Sequence, residues 1–173
     1  MIGMVKGLTQ SSSPISIGFQ TLESAANTFT ENSVDLNLSP LDKEVFVVTA
    51  INIDPFTPEA IQGTDTGVTC AVTTTSQTQI VGLENANCLA IGQNIIKSYA
   101  GADAGVSFST TGLETPPALL EYLGIIATND FFVAVQGFGN ANAKGVFGKL
   151  YGYRARASAD VYAALVQSEV LSA

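Results

Sequence analysis

The stretch that decides the fold is FFVAVQGF at residues 131–138, followed by GNAN at 139–142 and VFGKLYGYRARA at 146–157. Both long runs are rich in aromatic and β-branched residues, which fit the pleated, half-buried surface of a strand. In the second run every aromatic residue occupies an odd position and both arginines occupy even positions, which is the period of two typical of a strand. Because Gly and Asn separate the runs, we predict two strands joined by a hairpin turn, with another hairpin turn at 128–130.

Further strands are predicted towards the N-terminus. The run VFVVTAINI at 45–53 is apolar on both faces and predicts a central strand packed on both sides. Residues 78–83 are another candidate. The segment from Cys88 to Tyr99 fits a strand or a helix face, and its Gly and paired isoleucines favour a strand. Two segments alternate apolar and polar residues and predict half-buried strands, Val34-Asp-Leu-Asn-Leu38 and Val68-Thr-Cys-Ala-Val72, and Val106, Phe108 and Thr110 alternate with serines and predict another strand.

These segments amount to about eight short strands separated by turns rich in Gly, Asn and Pro, which is typical of an all-β sandwich or barrel. The C-terminal residues have a different pattern. Ser158 is a suitable N-cap, Asp160 lies where the first turn of a helix favours an acid, and Val161 and Leu165 follow helical spacing. We therefore predict a short C-terminal helix over residues 158–173.

Residues 1–28 lack a sustained period and contain a Ser-Ser-Ser-Pro stretch. Ile15, Ile17 and Phe19 alternate with small or polar residues, which predicts an extended arm that can add a strand to the sheet of a neighbouring molecule. On this interpretation the β-domain occupies residues 29–157. Removal of the arm is then expected to leave the fold intact and to stop assembly.

The composition argues against catalysis. The chain has 7 Lys and Arg against 15 Asp and Glu, a net charge of −8, and neither histidine nor tryptophan. It therefore lacks the commonest general base and metal ligand, and its few cations cannot neutralise many phosphates. Charged residues make up 13% of the chain, against a usual share of about 25%. We predict a non-enzymatic protein without a cofactor and without direct nucleic-acid binding, either a secreted β-domain or a subunit covered by copies of itself.

No motif identifies a catalytic or metal site. We interpret Cys70 and Cys88 as reduced, buried thiols, with a single disulfide bridge as the alternative. Asp54, Glu59 and Asp65 lie at turns, where solvated carboxylates are expected and a Ca²⁺ site stays open as an alternative.

Arg154 and Arg156 are the two arginines of the chain and fall on one face of the predicted last strand. Each can form an ion pair with acids of its own chain, or it can contact a neighbouring subunit, for which the planar guanidinium is well suited. With Ile15, Ile17 and Phe19 they form our candidate interface.

The N-terminal sequence MIGMVKGLTQSSS contains no apolar run of signal-peptide length. No apolar run in the chain approaches the ~20 residues that span a bilayer. We expect no signal peptide, no transmembrane helix and synthesis in the cytoplasm.

Three parts of the chain together carry a resemblance: the Ser/Thr-rich arm before Phe29, the strand-like run from Phe29 to Ala157, and the segment from Ser158 to Ala173. In this layout the chain resembles the single jelly-roll major capsid proteins of icosahedral viruses, most closely the small coat subunit of tailless double-stranded DNA phages and archaeal viruses with an internal membrane. The resemblance implies a jelly-roll domain and no catalytic residues.

The same resemblance implies partners and a location. The subunit would associate with copies of itself and with a second, larger coat protein, in a capsid apposed to an internal membrane, after synthesis in the host cytoplasm. The lack of a basic arm fits a membrane between shell and genome. Two other functions stay open: a carbohydrate-binding β-sandwich, and a surface or pilus subunit that exchanges strands through its arm.

Overall fold

Ten strands and one helix form within the residues that the computed structural model describes, 5–99, 105–112 and 120–173. The strands are β1 (Leu8–Gln10), β2 (Ile15–Leu22), β3 (Thr30–Asp35), β4 (Glu44–Pro55), β5 (Thr66–Thr73), β6 (Cys88–Ser98), β7 (Gly105–Gly112), β8 (Gly124–Ile126), β9 (Asp130–Phe138) and β10 (Gly145–Ala157). The helix α1 (Ala159–Leu171) follows them.

The strands make two antiparallel sheets, as an all-β sandwich requires. In sheet 1, β10 lies between β4 on one side and both β1 and β2 on the other, and β8 extends the sheet beyond β4. In sheet 2 the order is β3-β9-β5-β6-β7. The inner faces meet in one apolar core, in which Phe46 and Ile51 of sheet 1 and Val68 and Val133 of sheet 2 are almost fully buried.

The strand pairs are nested along the sequence. β5 pairs with β6, β4 with β8, β3 with β9, and β2 with β10, so each pair encloses the one before it. The chain is therefore one long antiparallel ribbon wrapped around the core. Neighbours within each sheet are mostly distant in sequence.

Both hairpin predictions are wrong. The segment at 128–130 leads from β8 of sheet 1 to β9 of sheet 2, and the segment at 139–142 leads from β9 back to β10 of sheet 1. Gly139 adopts a φ of 70°, so turn chemistry is present. A turn residue specifies that the chain reverses, however, and not which sheet the next strand joins. Pairing is decided by the apolar faces: Leu150 lies opposite Ile51 on β4 and Ile17 on β2.

The prediction of a central strand packed on both faces is confirmed for β4. Phe46 and Val48 face the core between the sheets, whereas Val45 and Val47 belong to a second apolar cluster on the outer face of sheet 1. All four side chains are buried. This second cluster explains why the run lacks the alternation of a strand with one wet face.

The predicted C-terminal helix is confirmed and covers the outer face of sheet 1. Ser158 is its N-cap and accepts a hydrogen bond from the Val161 N–H, and Asp160 lies in the first turn. The side chains of Val161, Leu165 and neighbouring apolar residues pack on the second cluster. Near its C-terminal end, Glu169 is buried and accepts a hydrogen bond from the Ala127 N–H at 2.9 Å and another from the Thr128 hydroxyl.

The predicted N-terminal arm is instead a strand of the domain's own sheet. Ile15–Leu22 forms β2 and pairs with β10 over its whole length. Phe19, opposite Gly148, is only 7% exposed and meets Phe131 edge-on with ring centroids 6.0 Å apart. A Cβ atom at Gly148 would lie 2.4 Å from the Phe19 ring, so the glycine provides the space that this ring occupies. The boundary at residue 28 therefore separates no arm from the domain, and its removal would delete a core-forming strand.

Other strand predictions have mixed outcomes. The strand interpretation of Cys88 to Tyr99 is confirmed by β6, and the alternating segment at 106–110 lies in β7. No strand forms at 78–83, which lies in a loop between β5 and β6. In the segment at 34–38 the strand ends at Asp35, although Leu36 and Leu38 beyond it are buried.

Candidate assembly surface

Arg154 is engaged within its own chain. Its guanidinium donates hydrogen bonds to the main-chain oxygens of Leu36 (2.9 Å) and Asn37 (3.1 Å) and lies 3.7 Å from the Glu44 carboxylate. Its backbone N–H donates to Ser12 Oγ at 2.9 Å. The side chain thus ties β10 to the loop after β3. Arg154 therefore makes the contact within its own chain that the sequence offered as the alternative to a subunit contact.

Arg156 differs from Arg154, although it lies two residues further along the same strand. Its side chain is exposed, and no group among the described residues makes a hydrogen bond or ion pair with it. The two arginines therefore do not form one site. Arg156 alone is available to a partner.

The three apolar residues of the predicted interface lie along β2. Ile15 and Ile17 are half-buried and pack against the core, and Phe19 lies within it. Two hydrogen bonds also tie the strand to sheet 2: Asn32 Nδ2 of β3 donates to the Gln20 main-chain oxygen at 3.4 Å, and Thr21 Oγ1 of β2 donates to the Val133 main-chain oxygen of β9 at 3.0 Å. These residues serve the fold of their own chain, so the structure does not offer them to a neighbour.

A different strand, β7, has an open edge and exposed side chains. It pairs with β6 through residues 105–112, and no described strand pairs with its other edge. Each of its side chains whose burial is described is exposed, including Val106 at 61% and Phe108 at 56%. Its sequence, GVSFSTTG, contains no charge and no proline. Charged residues, proline and bulges usually prevent natural sheet edges from pairing with other chains. The register between β6 and β7 also runs without a bulge.

Phe108 ends an apolar row that crosses the outer face of sheet 2. The registers place Phe138 of β9 opposite Gly67 of β5, Gly67 opposite Ile95 of β6, and Ile95 opposite Phe108 of β7. A Cβ atom at Gly67 would lie 2.3 Å from the Phe138 ring, so this ring lies over the glycine. We call Phe138, Gly67, Ile95 and Phe108 the outer row.

A hydrogen-bonded turn fixes one end of the outer row. Asn140, buried two residues after Phe138, donates from Nδ2 to the Gly67 main-chain oxygen at 2.9 Å and accepts at Oδ1 from the Glu59 N–H at 3.1 Å. The Glu23 carboxylate accepts from the Gly137 N–H at 2.6 Å. Since buried polar groups with partners hold a single geometry, Phe138 is positioned by the turn as well as by its strand.

The charges beside the outer row neutralise each other. Lys97 Nζ lies 2.9 Å from Asp65 Oδ2. The Ser98 N–H and the Lys97 ammonium, both donating to the Asp65 carboxylate, lower its pKa below the ordinary value. Asp65 therefore stays ionised next to Lys97 at neutral pH. The rim of the row carries a compensated pair rather than a net charge.

The two thiols and the Glu59 carboxylate are occupied within their own chain. Cys70 and Cys88 are both free and buried, and burial raises the pKa of Cys70 to about 12 and that of Cys88 to about 11, which keeps the thiols protonated. The Glu59 carboxylate accepts hydrogen bonds from the Ala141 N–H and the Asn142 side chain. Across the described ranges, no three Cys, Asp or Glu side chains group as metal ligands.

No protein-family model matches the chain, and no curated protein matches it. Within the part of the chain that the structure describes, no helix is long and apolar enough to cross a membrane.

Sequence reasoning missed the outer row and the open edge. The alternation at 106–110 predicted a strand, and the absence of charge within it was visible. Alternation does not show whether a strand lies at the centre or at the edge of its sheet. The signal that could have found the edge is an absence: the strand contains none of the Lys or Pro residues that usually prevent a sheet edge from pairing with another chain.

Proposed function

We propose that this protein is a structural coat subunit with a jelly-roll fold that assembles into an icosahedral viral capsid. The observation that carries the proposal is the nested pairing of the strands. Jelly rolls are double sheets of eight strands, and they are recurrent folds of viral capsid domains. Here β2, β10, β4 and β8 supply one set of four, and β3, β9, β5 and β6 supply the other, with β1 and β7 as additions.

The charge distribution supports a structural role that is not catalytic. Net charge of −8 on a chain with 13% charged residues leaves wide areas of Ser, Thr, Asn and Gly. A shell subunit must bury several patches of its surface against neighbours, each of roughly 1,200–2,000 Å² in total area for a specific contact. The uncharged edge of β7 and the outer row supply one exposed patch that a neighbour could cover.

The proposal includes the partners implied by the resemblance. Copies of this chain associate with one another and with a second, larger coat protein, and the shell is apposed to an internal membrane. The subunit is synthesised in the host cytoplasm and ends in the virion. No cofactor and no direct contact with the genome are part of the proposal.

Two features weigh against the alternative functions. A carbohydrate-binding module usually presents a platform of Trp or Tyr rings, whereas the chain lacks Trp and three of its five tyrosines, Tyr122, Tyr153 and Tyr162, pack in the cluster under α1. A strand-exchanging subunit needs a mobile donor strand, whereas β2 pairs with β10 of its own chain.

The test is assembly of the full chain. The purified protein is concentrated alone and with the product of each neighbouring gene that encodes a larger β-rich protein, and particles are counted by electron microscopy. Closed shells or regular sheets containing this chain support the proposal. A protein that remains monomeric at millimolar concentration and assembles with none of those partners contradicts it.

A further inference from the structure

We propose that two copies of the chain pair through β7, antiparallel to each other, about a two-fold axis at Phe108. The two five-stranded sheets then become one sheet of ten strands. The inference rests on the proposed function, because it names the contact through which coat subunits first associate.

The edge of β7 is competent to pair. In an antiparallel ladder every second residue directs its N–H and C=O away from the neighbouring strand. On β7 these groups have no strand partner among the described residues. The competing edges are less suitable: β8 is three residues long, β3 carries Glu31 and Asp35, and the edge of β2 is approached by Asn32 of β3.

The sequence of β7 is complementary to itself. In antiparallel pairing about Phe108, Ser107 lies opposite Ser109 of the other copy, and Val106 lies opposite Thr110, which has nearly the same shape. Phe108 meets its own equivalent on the same face of the sheet. Aromatic pairs and pairs of β-branched or hydroxyl residues are favourable across strands. A two-fold contact requires this kind of self-complementarity.

Charge also favours a second copy at this edge. Two chains that each carry −8 repel each other over most orientations. At β7 the strand is uncharged, and the nearest ion pair, Lys97 with Asp65, is compensated. The outer row of one copy continues into that of the other, so Phe108 and Ile95 from each side form one apolar patch across the two-fold axis.

The test uses charge complementation at the two serines. One variant carries Ser107→Lys and Ser109→Lys, and the other carries Ser107→Glu and Ser109→Glu. Pairing about Phe108 sets like charges opposite each other in either variant alone, and opposite charges in a mixture. Both serines are exposed, and Ser109 Oγ donates one solvent-exposed hydrogen bond to Asn94 Oδ1 at 2.9 Å, so any loss of unfolding free energy should be small and equal in the two variants. The matched control is Ser16→Lys with Gln20→Lys on the exposed positions of β2.

Association is measured by sedimentation velocity over a range of concentrations. We expect wild type and the β2 control to dimerise equally, each β7 variant alone to dimerise about tenfold more weakly or worse, and the equal mixture to recover dimerisation. The proposal is overturned if the wild type is monomeric, or if β7 pairs only with a strand of another protein. It is also overturned if the β7 variants dimerise as the wild type does, if the control is weakened equally, or if the mixture does not recover dimerisation. If the Lys variant forms particles normally, the β7 pairing is refuted but the coat function is not. If the wild type forms β7 dimers but no particles, the coat function is refuted but the pairing is not.

Discussion

Sheet 1 and sheet 2 share one core, but their outer surfaces differ. On the outer face of sheet 1, α1 covers Val45, Val47 and Ala155. On sheet 2 the outer row is exposed at Phe138 and Phe108. The chain thus covers the part of sheet 1 near its own termini, whereas Phe147 at the far end of sheet 1 and the outer row of sheet 2 stay exposed.

The same contrast holds for the two strands β2 and β7. Both lie at a sheet edge, both are eight residues long, and neither carries a charged residue. Phe19 of β2 enters the core, whereas Phe108 of β7 is 56% exposed. Similar sequences therefore serve different purposes, β2 for the fold and β7, on our account, for association.

The sharpest way to break this comparison is to make the same substitution on both strands. Phe19→Ala should lower the free energy of unfolding by about 3–5 kcal/mol, because a buried aromatic leaves a cavity. Phe108→Ala should change it by no more than about 0.5 kcal/mol and should weaken association instead. Urea unfolding and sedimentation give the two readouts. Equal losses of stability in both variants would remove the distinction between a core strand and an exposed one.

The two arginines provide a second matched pair on sheet 1. Arg154→Ala should cost about 1–3 kcal/mol of stability, because it removes charge-assisted hydrogen bonds to the main-chain oxygens of Leu36 and Asn37. Arg156→Ala should stay within about 0.5 kcal/mol of wild type. The midpoint of urea unfolding checks both. Stability that depends on Arg156 as much as on Arg154 would contradict the contacts described.

The pH dependence of stability tests how Glu169 holds α1 on the outer face of sheet 1. Burial raises the pKa of Glu169 above its ordinary value of 4.5. The folded state therefore binds the proton more tightly, so stabilisation by protonation is complete below 4.5 and is lost as the pH rises through the folded pKa. The stability of wild type relative to Glu169→Gln should accordingly increase as the pH falls from neutral, as measured by urea unfolding at several pH values.

A wild-type advantage that shrinks on acidification would mean that the Glu169 carboxylate is better stabilised in the folded state than in water. The helix would then be held by a charged anchor.

Local patterns predicted much of the fold. The two-sided apolar run predicted the central position of β4, and Ser158 with Asp160 predicted the start of α1. Such features depend on neighbouring residues alone. The hairpins at 128–130 and 139–142 failed because a turn sequence carries no information about the destination of the next strand, which here is the opposite sheet.

The candidate site was predicted less well, for the same reason. Whether Phe19 is buried depends on the space at Gly148, which lies more than a hundred residues away. Whether β7 is exposed depends on the absence of a further strand beside it. For Arg154 an ion pair within the chain or a subunit contact was predicted, but its partners on the loop after β3 are set by the tertiary fold.

Hydrogen exchange at low and high protein concentration tests the central claim most directly, because it reports on β2 and β7 in the same sample. We predict that amides of residues 105–112 become protected as concentration rises, while those of residues 15–22 are equally protected throughout. The β7 amides that already bond to β6 should respond least. Protection that rises with concentration in β2 and not in β7 would contradict the account, and would return the N-terminal strand to the role of the associating element.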